Sequence, residues 1–198
     1  MRKWFDSEAK KNSQRPWRLE ADVWLNLTGE LLFGDRGQRG KAHLFWPNFR
    51  KDWPDPRAYL RDDHRAGHLR TIGMSKIAPT LDAFAKYLAA NNAPSVRELI
   101  SIGINEKTAR RAMALSEKSH DRPNDSALIR VASRVFERVA GQKSNIENQI
   151  ATALLVGKDE DAVLYAAAIE LGETICTASA PACMLCPIEL NCSHLRKG

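Results

Sequence analysis

The sequence has no long hydrophobic segment. Its longest apolar run, from Ala162 to Ile169, is far shorter than the roughly 20 residues that a membrane-spanning helix needs. The N-terminal segment is polar and charged, and it lacks the apolar stretch of a secretory signal peptide. There is no repeat of fixed period and no low-complexity tract, which argues against solenoid and disordered classes. We therefore expect a cytoplasmic protein that makes no contact with membranes.

Acidic residues are fewer than basic ones, 24 against 30, which gives the 198-residue chain a formal charge of +6. A basic excess suits a polyanionic partner, although many basic proteins bind nothing acidic. Between Arg36 and Lys51 five basic residues are interleaved with aromatic ones, and no acidic residue occurs. This pattern is typical of a nucleic-acid groove, but a helix with one buried apolar side produces it as well.

Cysteine is scarce: the chain has four, all between positions 176 and 192, in the pattern C-x6-C-x2-C-x5-C. A reducing compartment disfavours disulfides, and bridges within so short a segment would close only small loops. Structural zinc usually takes two short cysteine pairs, whereas this segment has one, Cys183 and Cys186, with Cys176 and Cys192 outside it. A single loop around a [4Fe–4S] cluster fits the spacing better, with zinc or four unrelated buried thiols as alternatives.

Strand patterns are also scarce, and helical periodicity runs through the chain. An apolar stripe with spacings of three and four follows Asp125, from Leu128 to Val139, and predicts an amphipathic helix. Ser95 is the expected N-cap of a short helix over Val96–Ile100. The other predicted helices cover 24–33, 81–88, 146–156 and 161–172. The sequence therefore predicts an all-α protein.

Two sets of side chains give predictions about burial. All five tryptophans lie in the first 53 residues, and several are expected in the core or at a lobe interface rather than stacked on bases. Arg130, Arg134 and Arg138 recur every four residues opposite the apolar stripe, which predicts a solvated helix face.

Residues 96–111 have the pattern of a helix, a tight turn and a second helix. Gly103 provides the positive φ that such a turn needs, and Asn105 is the residue type that adopts it next most readily. A second helix that begins near Asn105 leaves its first backbone N–H groups unpaired, and these can bind one phosphate without reading sequence. By itself, however, the pattern is more often a plain helix–helix corner.

Together these features resemble the endonuclease III branch of the helix–hairpin–helix DNA glycosylase superfamily. The cysteine spacing is similar to the family's iron–sulfur loop, and Ile102–Ala109 (IGINEKTA) is similar to its L-P-G-V-G-R-K-T-A hairpin. The 18 positions from Lys107 to Asp125 match the family's spacing between its lysine nucleophile and its aspartate. Leu69–Met74 (LRTIGM) is similar to the I-G-L turn before the hairpin. The resemblance extends from about Ala21 to Cys192.

The resemblance implies an all-α, two-lobed glycosylase fold. Residues 22–121 would form a six-helix barrel lobe that carries the helix–hairpin–helix at about 96–115. Residues 1–21 and 122–198 would form a cluster lobe, whose loop 176–192 holds a [4Fe–4S] cofactor. The cluster ligands would be Cys176, Cys183, Cys186 and Cys192. The length suffices for two lobes without the extra C-terminal recognition domain of adenine-mismatch glycosylases, so that substrate is not expected.

The resemblance also assigns two catalytic residues. Asp125 would stabilise the positive charge that develops on the sugar as the base departs, although the same residue is equally a helix N-cap. Lys107 would attack C1′, form a Schiff base and cut the strand by β-elimination, with a solvated lysine or a phosphate contact as the alternative. Family members with another residue type at this position cut the strand poorly. Lys107 therefore indicates a bifunctional glycosylase and abasic-site lyase.

DNA contacts are expected in the hairpin and in the loop after the first core helix. In the family, this loop supplies the residue that fills the gap left by the flipped base. Ungapped alignment puts Asp35 at that position, with Gln38 or Arg36 as nearby alternatives. The family's D-T-H signature lacks its histidine here, because Ser126 and Ala127 follow Asp125. The expected DNA-binding residues are Gly103, Asn105, Thr108, Arg36, Gln38 and Arg39.

The sequence therefore predicts a monomeric DNA repair enzyme that excises a damaged or mismatched base and then cleaves the abasic site. Its partner would be double-stranded DNA that contains a lesion, a mismatch or an abasic site. Its location would be the cytoplasm, in association with the nucleoid. Two alternatives stay open: a monofunctional thymine or uracil mismatch glycosylase, and a DNA-structure-binding module that has lost base excision. The sequence does not select the excised base.

Overall fold

A computed structural model of the chain describes residues 1–4, 7, 15–20, 22–34, 39–91, 93–116, 125–136, 153–155 and 162–196. The regular structure in these ranges is helical, without strands, which confirms the predicted all-α class. No helix among them is long and apolar enough to cross a membrane. The chain forms two compact units: a hairpin unit, Gln14–Glu117, and a cysteine unit, Met1–Ser13 with Lys118–Gly198.

The helices of the described residues follow one another in a simple order. Short 3₁₀ helices cover Pro16–Leu19, Cys183–Leu185 and Glu189–Asn191. The α-helices are α1 (Arg2–Trp4), α2 (Val23–Phe33), α3 (Arg39–Asp52), α4 (Pro56–Arg61), α5 (Arg65–Thr71), α6 (Ala78–Ala90), α7 (Val96–Ser101), α8 (Glu106–Ser116), α9 (Ser126–Val135), α10 (Ala162–Thr174) and α11 (Ser193–Arg196).

Capping side chains determine where helices of the hairpin unit begin. Asp22 accepts a hydrogen bond from a backbone N–H at 3.1 Å and starts α2. Ser95 is the N-cap of α7, as predicted: its Oγ accepts from the Glu98 N–H at 3.3 Å, and Glu98 Oε2 accepts from the Ser95 N–H at 2.7 Å. At their other ends, α2 stops before Gly34 and α6 before Asn91.

Large aromatic side chains fill the core of the hairpin unit. Trp24 stacks on Phe84 and Trp46 stacks on Phe49, in both pairs with 5.5 Å between the ring centroids. Such rings bury a large apolar area each and account for much of the energy of a small core. The prediction that several tryptophans belong to the core is confirmed for Trp17, Trp24, Trp46 and Trp53.

Trp17 packs closely on α2 because residue 29 is a glycine. A Cβ atom on Gly29 would overlap the Trp17 side chain. A glycine inside a helix costs about 1 kcal/mol relative to alanine, and here the close approach of the indole explains its presence. The Trp17 indole N–H also donates to Glu30 Oε1 at 3.0 Å, so the aromatic core contacts a buried charge.

Glu30 lies on α2 and is held between two arginines of the hairpin unit. Arg18 Nε donates to Glu30 Oε1, and Arg111 Nη1 lies 3.7 Å from Glu30 Oε2. Burial alone would raise the pKa of Glu30, but the charges of Arg18 and Arg111 and the hydrogen bonds from Arg18 and Trp17 lower it to about 2. Glu30 is therefore a buried carboxylate whose charge is balanced locally.

The cysteine unit has a core of smaller side chains, in which α9 packs against α10. The predicted amphipathic stripe is confirmed as far as Val135, and its remainder lies outside the described residues. The helix predicted over 161–172 is present as α10. The helix predicted over 146–156 lies outside the described residues, except for 153–155. The buried residues of α9 and α10 include Ala127, Leu128, Val131, Ala132, Tyr165, Ala166, Ala167, Ala168, Ile169 and Leu171.

Candidate active site and cysteine centre

The helix, turn and helix predicted around Gly103 are present as α7, a glycine turn and α8. Gly103 has a φ of +91°, a left-handed conformation that side chains disfavour. Its N–H donates to the Ile100 carbonyl at 3.0 Å, and the Ile104 N–H donates to the Leu99 carbonyl at 3.1 Å. These two bonds form the Schellman motif that ends many helices. The turn thus places the start of α8 directly after α7.

The turn between α5 and α6 has the same geometry. Gly73 has a φ of +78°, its N–H donates to the Arg70 carbonyl at 2.9 Å, and the Met74 N–H donates to the Leu69 carbonyl at 2.7 Å. This is the segment that resembles the family's I-G-L turn. The two glycines with positive φ among the described residues therefore lie in the two turns that the resemblance singles out.

Asn105 is the N-cap of α8. Its Oδ1 accepts a hydrogen bond from the Thr108 N–H at 2.9 Å, and its carbonyl accepts from the Ala109 N–H at 2.9 Å. The sequence suggested Asn105 as a residue for the turn conformation, but the positive φ of this turn belongs to Gly103. The cap also takes up the Thr108 N–H, one of the donors expected to bind phosphate. Thr108 itself is half-buried, and its contact with DNA stays a prediction.

Lys107 lies in the first turn of α8, and its side chain is exposed. Glu106 and Arg110, on the same helix, form an ion pair at 2.9 Å. Lys107 is therefore presented to solvent beside the glycine turn. This position suits either an amine nucleophile or a phosphate contact.

Asp125 is the N-cap of α9, as the sequence predicts. Its Oδ1 accepts from the Ala127 N–H at 2.9 Å, and its side chain is almost completely buried, with 2% exposed. The positive end of the helix dipole stabilises a carboxylate at this position. Lys107 belongs to the hairpin unit and Asp125 to the cysteine unit.

The expected gap-filling loop is only partly described. Arg36 and Gln38 lie outside the described residues, as does Asp35. Arg39 is the first residue of α3, and its side chain is likewise outside them. These three predicted DNA contacts, at 36, 38 and 39, stay predictions.

The four cysteines face one small pocket in the cysteine unit. None forms a disulfide, and all four thiols are half-buried. Burial raises the pKa of the Cys186 thiol, a hydrogen bond from the Ile188 N–H lowers it, and the three neighbouring cysteines raise it further. The pocket is lined by Cys176, Cys183, Cys186, Cys192, Arg134, Ile175, Pro181, Glu189, His194 and Leu195.

Two arginines of α9 hold the start of the cysteine loop. Arg134 Nη1 donates to Cys176 Sγ at 3.2 Å and to the Thr177 carbonyl at 2.8 Å. Arg130 donates to the Cys176 carbonyl at 2.8 Å and also to the Gly172 carbonyl. The prediction of a solvated face was therefore wrong for Arg130 and Arg134, while Arg138 lies outside the described residues. The i, i+4 spacing was visible in the sequence, but partners more than 40 positions away were not.

The grouping of these thiols bears on which metal they suit. Tetrahedral zinc, with Zn–S distances of about 2.3 Å, brings its sulfur ligands within about 3.8 Å of one another. Among the described residues, no group of three or more His, Cys, Asp or Glu side chains is arranged to hold a metal ion.

The chain is similar in sequence to several DNA glycosylases, although no protein-family model matches it. It is 32% identical over 203 residues to the adenine DNA glycosylase of Mycolicibacterium smegmatis, which covers 98% of this chain and 66% of that protein. The adenine DNA glycosylase of Mycobacterium tuberculosis (strain H37Rv) is 28% identical over 186 residues, 88% of this chain. The chain spans only 60% of that relative's length.

Thymine-DNA glycosylases provide a second set of matches. The enzyme of Aeropyrum pernix is 25% identical over 192 residues, which covers 90% of this chain and 86% of that protein. The solved structure of a thermostable thymine-DNA glycosylase matches 100% of this chain and 94% of its own, with a TM-score of 0.68 and 19% identity. The chain therefore has the all-α fold of a DNA glycosylase, and relatives along nearly its whole length support the resemblance to the helix–hairpin–helix glycosylase superfamily.

Proposed function

We propose that the chain is a DNA glycosylase that removes a base from duplex DNA. The observation that carries this proposal is the similarity to an adenine DNA glycosylase over 98% of the chain. The glycine hairpin and the buried aspartate at the start of α9 support it. Both features belong to positions that the sequence marked for DNA binding and catalysis.

Asp125 would provide the main electrostatic contribution. When the bond between C1′ and the base nitrogen breaks, its electron pair stays with the base, and positive charge develops on the sugar. A carboxylate near C1′ stabilises that charge, and burial strengthens the interaction because little water screens it. Asp125 would then accept the proton that the attacking nucleophile loses.

Lys107 would extend base removal to strand cleavage. Its neutral amine attacks C1′ as the bond to the base breaks, and the base takes up the proton that Asp125 has accepted from the amine. The C1′–O4′ bond then opens, the remaining N–H proton passes to O4′, and a Schiff base joins C1′ to the Lys107 nitrogen. Loss of a C2′ proton then expels the 3′ phosphate. The exposed side chain at the start of α8 supports this role, since the amine must reach a sugar held in DNA.

A monofunctional thymine or uracil mismatch glycosylase is the second candidate. Water then replaces the amine as nucleophile, and Lys107 would contact phosphate. The similarity to the thymine-DNA glycosylase of Aeropyrum pernix over 90% of the chain favours this candidate. Base removal is common to both candidates, whereas strand cleavage without added alkali belongs only to the first.

The variant Asp125→Asn tests base removal. Asparagine caps a helix about as well as aspartate, so the exchange removes the charge while the start of α9 is retained. We expect base release to fall at least a hundredfold with little change in duplex binding. Asp63→Asn, at an exposed turn of the hairpin unit, is the matched control and should retain activity. Full activity of Asp125→Asn would refute the proposed role.

The variant Lys107→Ala tests the lyase step. Borohydride should trap a covalent adduct of the wild-type protein with DNA, and Lys107→Ala should give none. Lys86→Ala, which removes an exposed lysine from α6, is the control and should be trapped like the wild type. Base release without any trapping in the wild type would support the monofunctional candidate. Binding to abasic or bent duplex without base release would support the structure-binding alternative.

The excised base needs a direct screen. Duplexes that each carry one lesion or mismatch, including adenine opposite 8-oxoguanine and thymine or uracil opposite guanine, would be compared in single-turnover assays. The relatives are named for adenine and for thymine, so these two mismatches come first. Oxidised pyrimidines, the default for the endonuclease III branch, come next.

We also propose that the cysteine pocket holds a [4Fe–4S] cluster, with Cys176, Cys183, Cys186 and Cys192 as ligands. The four thiols around one pocket and the Arg134 N–H directed at Cys176 Sγ support it, because bound thiolates need nearby positive charge and hydrogen bonds. The cluster would hold the loop together. A brown protein with about four iron and four sulfide atoms per chain is expected. A colourless protein with one zinc would refute it.

A further inference from the structure

A cavity of about 490 Å³ lies within the hairpin unit, between one face of α3 and one face of α5. This volume is in the range of small-ligand sites in proteins. Neither Lys107, the Gly103 turn nor any cysteine lines it. The lining residues are Phe33, Phe45, Asn48, Phe49, Asp52, Trp53, Asp62, His68, Thr71 and Ile72.

The inner walls of the cavity are aromatic and fixed in place. Phe49 and Trp53 are buried and meet edge-on at 5.0 Å, and Trp53 meets His68 edge-on at 6.0 Å. The Trp53 indole N–H donates to Asp62 Oδ2 at 2.9 Å, which fixes the ring. Rigid rings of this kind suit a planar ligand, because a flat ring system stacks on them with little loss of side-chain entropy.

The polar groups of the cavity are two carboxylates, an amide, an imidazole and a hydroxyl. Asn48 and Asp52 are four residues apart on α3 and therefore lie on the same helix face. Both are exposed at the cavity, whereas Asp62 already accepts hydrogen bonds from Trp53 and from the His64 N–H at 2.8 Å. The lining contains two carboxylates and no lysine or arginine. A phosphate or another anion is therefore disfavoured inside it.

We propose that this cavity binds a single unpaired nucleobase that carries an exocyclic amine, such as adenine or cytosine. The ring system would stack against the aromatic walls. The Asp52 carboxylate would accept from the amine, and the Asn48 amide, which can donate and accept, would pair with the adjoining ring edge. Neither Lys107 nor Asp125 is among the lining residues, and the proposal does not rest on glycosylase activity. The base could be free in solution or part of a DNA strand.

Matched pairs of free bases test the chemistry by calorimetric titration of the full chain. Adenine and hypoxanthine differ in whether an amine or a carbonyl oxygen stands at one position, as do cytosine and uracil. We expect the amine-bearing member of each pair to bind about fivefold or more tightly, the effect of one good polar pair with a base. Asp52→Ala and Asn48→Ala should remove the preference, and Asp63→Ala, exposed and outside the cavity, should leave it unchanged.

Titration with DNA distinguishes a base in a DNA strand from a base free in solution. Duplexes with a one-nucleotide bulge of deoxyadenosine or deoxyinosine would be titrated in the Asp125→Asn background, so that no base is removed. Preference for the adenine bulge that Asp52→Ala abolishes assigns the site to a base in DNA, while preference among free bases alone assigns it to a free base. Equal binding within every pair, no binding in either arm, or equal effects of Asp52→Ala and Asp63→Ala would overturn the proposal. None of these results depends on base excision.

Discussion

Large aromatic side chains fill the core of the hairpin unit, whereas alanine makes up half of the buried apolar residues that the structure describes in α9 and α10 of the cysteine unit. Stabilisation by burial grows with apolar area, at about 25 cal/mol per Å², so alanines contribute much less. The cysteine loop adds little, since Met184, Leu185 and Leu190 are 84%, 71% and 78% exposed. Hydrogen bonds from Arg130 and Arg134 therefore contribute to holding the loop, whereas the hairpin unit is held by its aromatic core.

Replacement of one cysteine should have the largest effect, and the effect should be confined to the cysteine unit. We expect Cys186→Ser to lose the proposed cluster, and with it the order of residues 176–192, because the loop has no apolar core of its own. Visible absorption and hydrogen exchange measure the two effects. Exchange in the hairpin unit should stay slow. Ala182→Ser, at an exposed position of the same loop, is the control and should keep the absorption. A Cys186→Ser protein with unchanged absorption and exchange would contradict the comparison.

The buried ion pairs of Glu30 with Arg18 and Arg111 give the next largest effect, in the hairpin unit. Glu30→Gln leaves Arg18 and Arg111 without their carboxylate and should lower the free energy of unfolding by about 3–5 kcal/mol. Urea titration followed by tryptophan fluorescence measures this loss. Glu106→Gln, which breaks the exposed pair with Arg110, is the control and should have little effect. Equal losses in the two variants would mean that burial of the Glu30 ion pairs adds nothing to the free energy of unfolding.

The same carboxylate predicts a dependence on pH. The pKa of Glu30 is about 2 in the folded chain against 4.5 for the isolated group, so the ionised form is favoured by folding. Its contribution, about 3 kcal/mol, is fully present above pH 4.5 and is lost as the pH falls towards 2. The difference in unfolding free energy between wild type and Glu30→Gln should therefore shrink between pH 5 and pH 2. A constant difference over that range would contradict the assignment.

A smaller effect is expected when the hydrogen bonds from Arg134 to the cysteine loop are lost. Arg134→Lys keeps the charge but loses the planar set of donors that reaches Cys176 and Thr177, at a cost of about 1–3 kcal/mol. Amide exchange at 176–178 should accelerate, and iron should be lost to a chelator sooner. Arg97→Lys, exposed on α7, serves as the control. If both variants behave like the wild type, the hydrogen bonds to the loop do not stabilise it.

The hairpin cap should give the smallest effect. Asn105→Ala removes the acceptor for the Thr108 N–H and should cost about 1 kcal/mol, while Asn105→Asp should retain most of the stability. Thermal unfolding of the three proteins measures the difference. A larger loss in Asn105→Asp than in Asn105→Ala would show that the cap is not the reason for asparagine at this position.

Local features of the fold could be predicted from the sequence. Ser95, Gly103 and Asp125 act through neighbours within five positions, and their capping or turn roles followed from residue type and spacing. The burial of Trp17 and Trp24 followed from their size and apolar character. These predictions succeeded because the responsible contacts are short-range or depend on hydrophobicity alone.

The partners of charged side chains could not be predicted in this way. Arg134 was assigned to solvent because it lies opposite the apolar stripe of its helix, and the thiol and carbonyls that it binds follow 42 to 44 positions later. Glu30 sits among apolar residues of α2, where spacing gives no sign of Arg18 or Arg111. The cavity between α3 and α5 likewise depends on how two helices meet. Such contacts are set by tertiary packing, which no local pattern encodes.

The close approach of Trp17 to Gly29 has a consequence for how this chain can evolve. A larger residue at 29 displaces the indole, and with it a donor to Glu30, so one substitution would damage the aromatic core and the ion cluster together. The two positions are therefore epistatic: a side chain at 29 becomes tolerable only after residue 17 has become smaller. The order in which such changes arise would restrict the mutational paths open to α2.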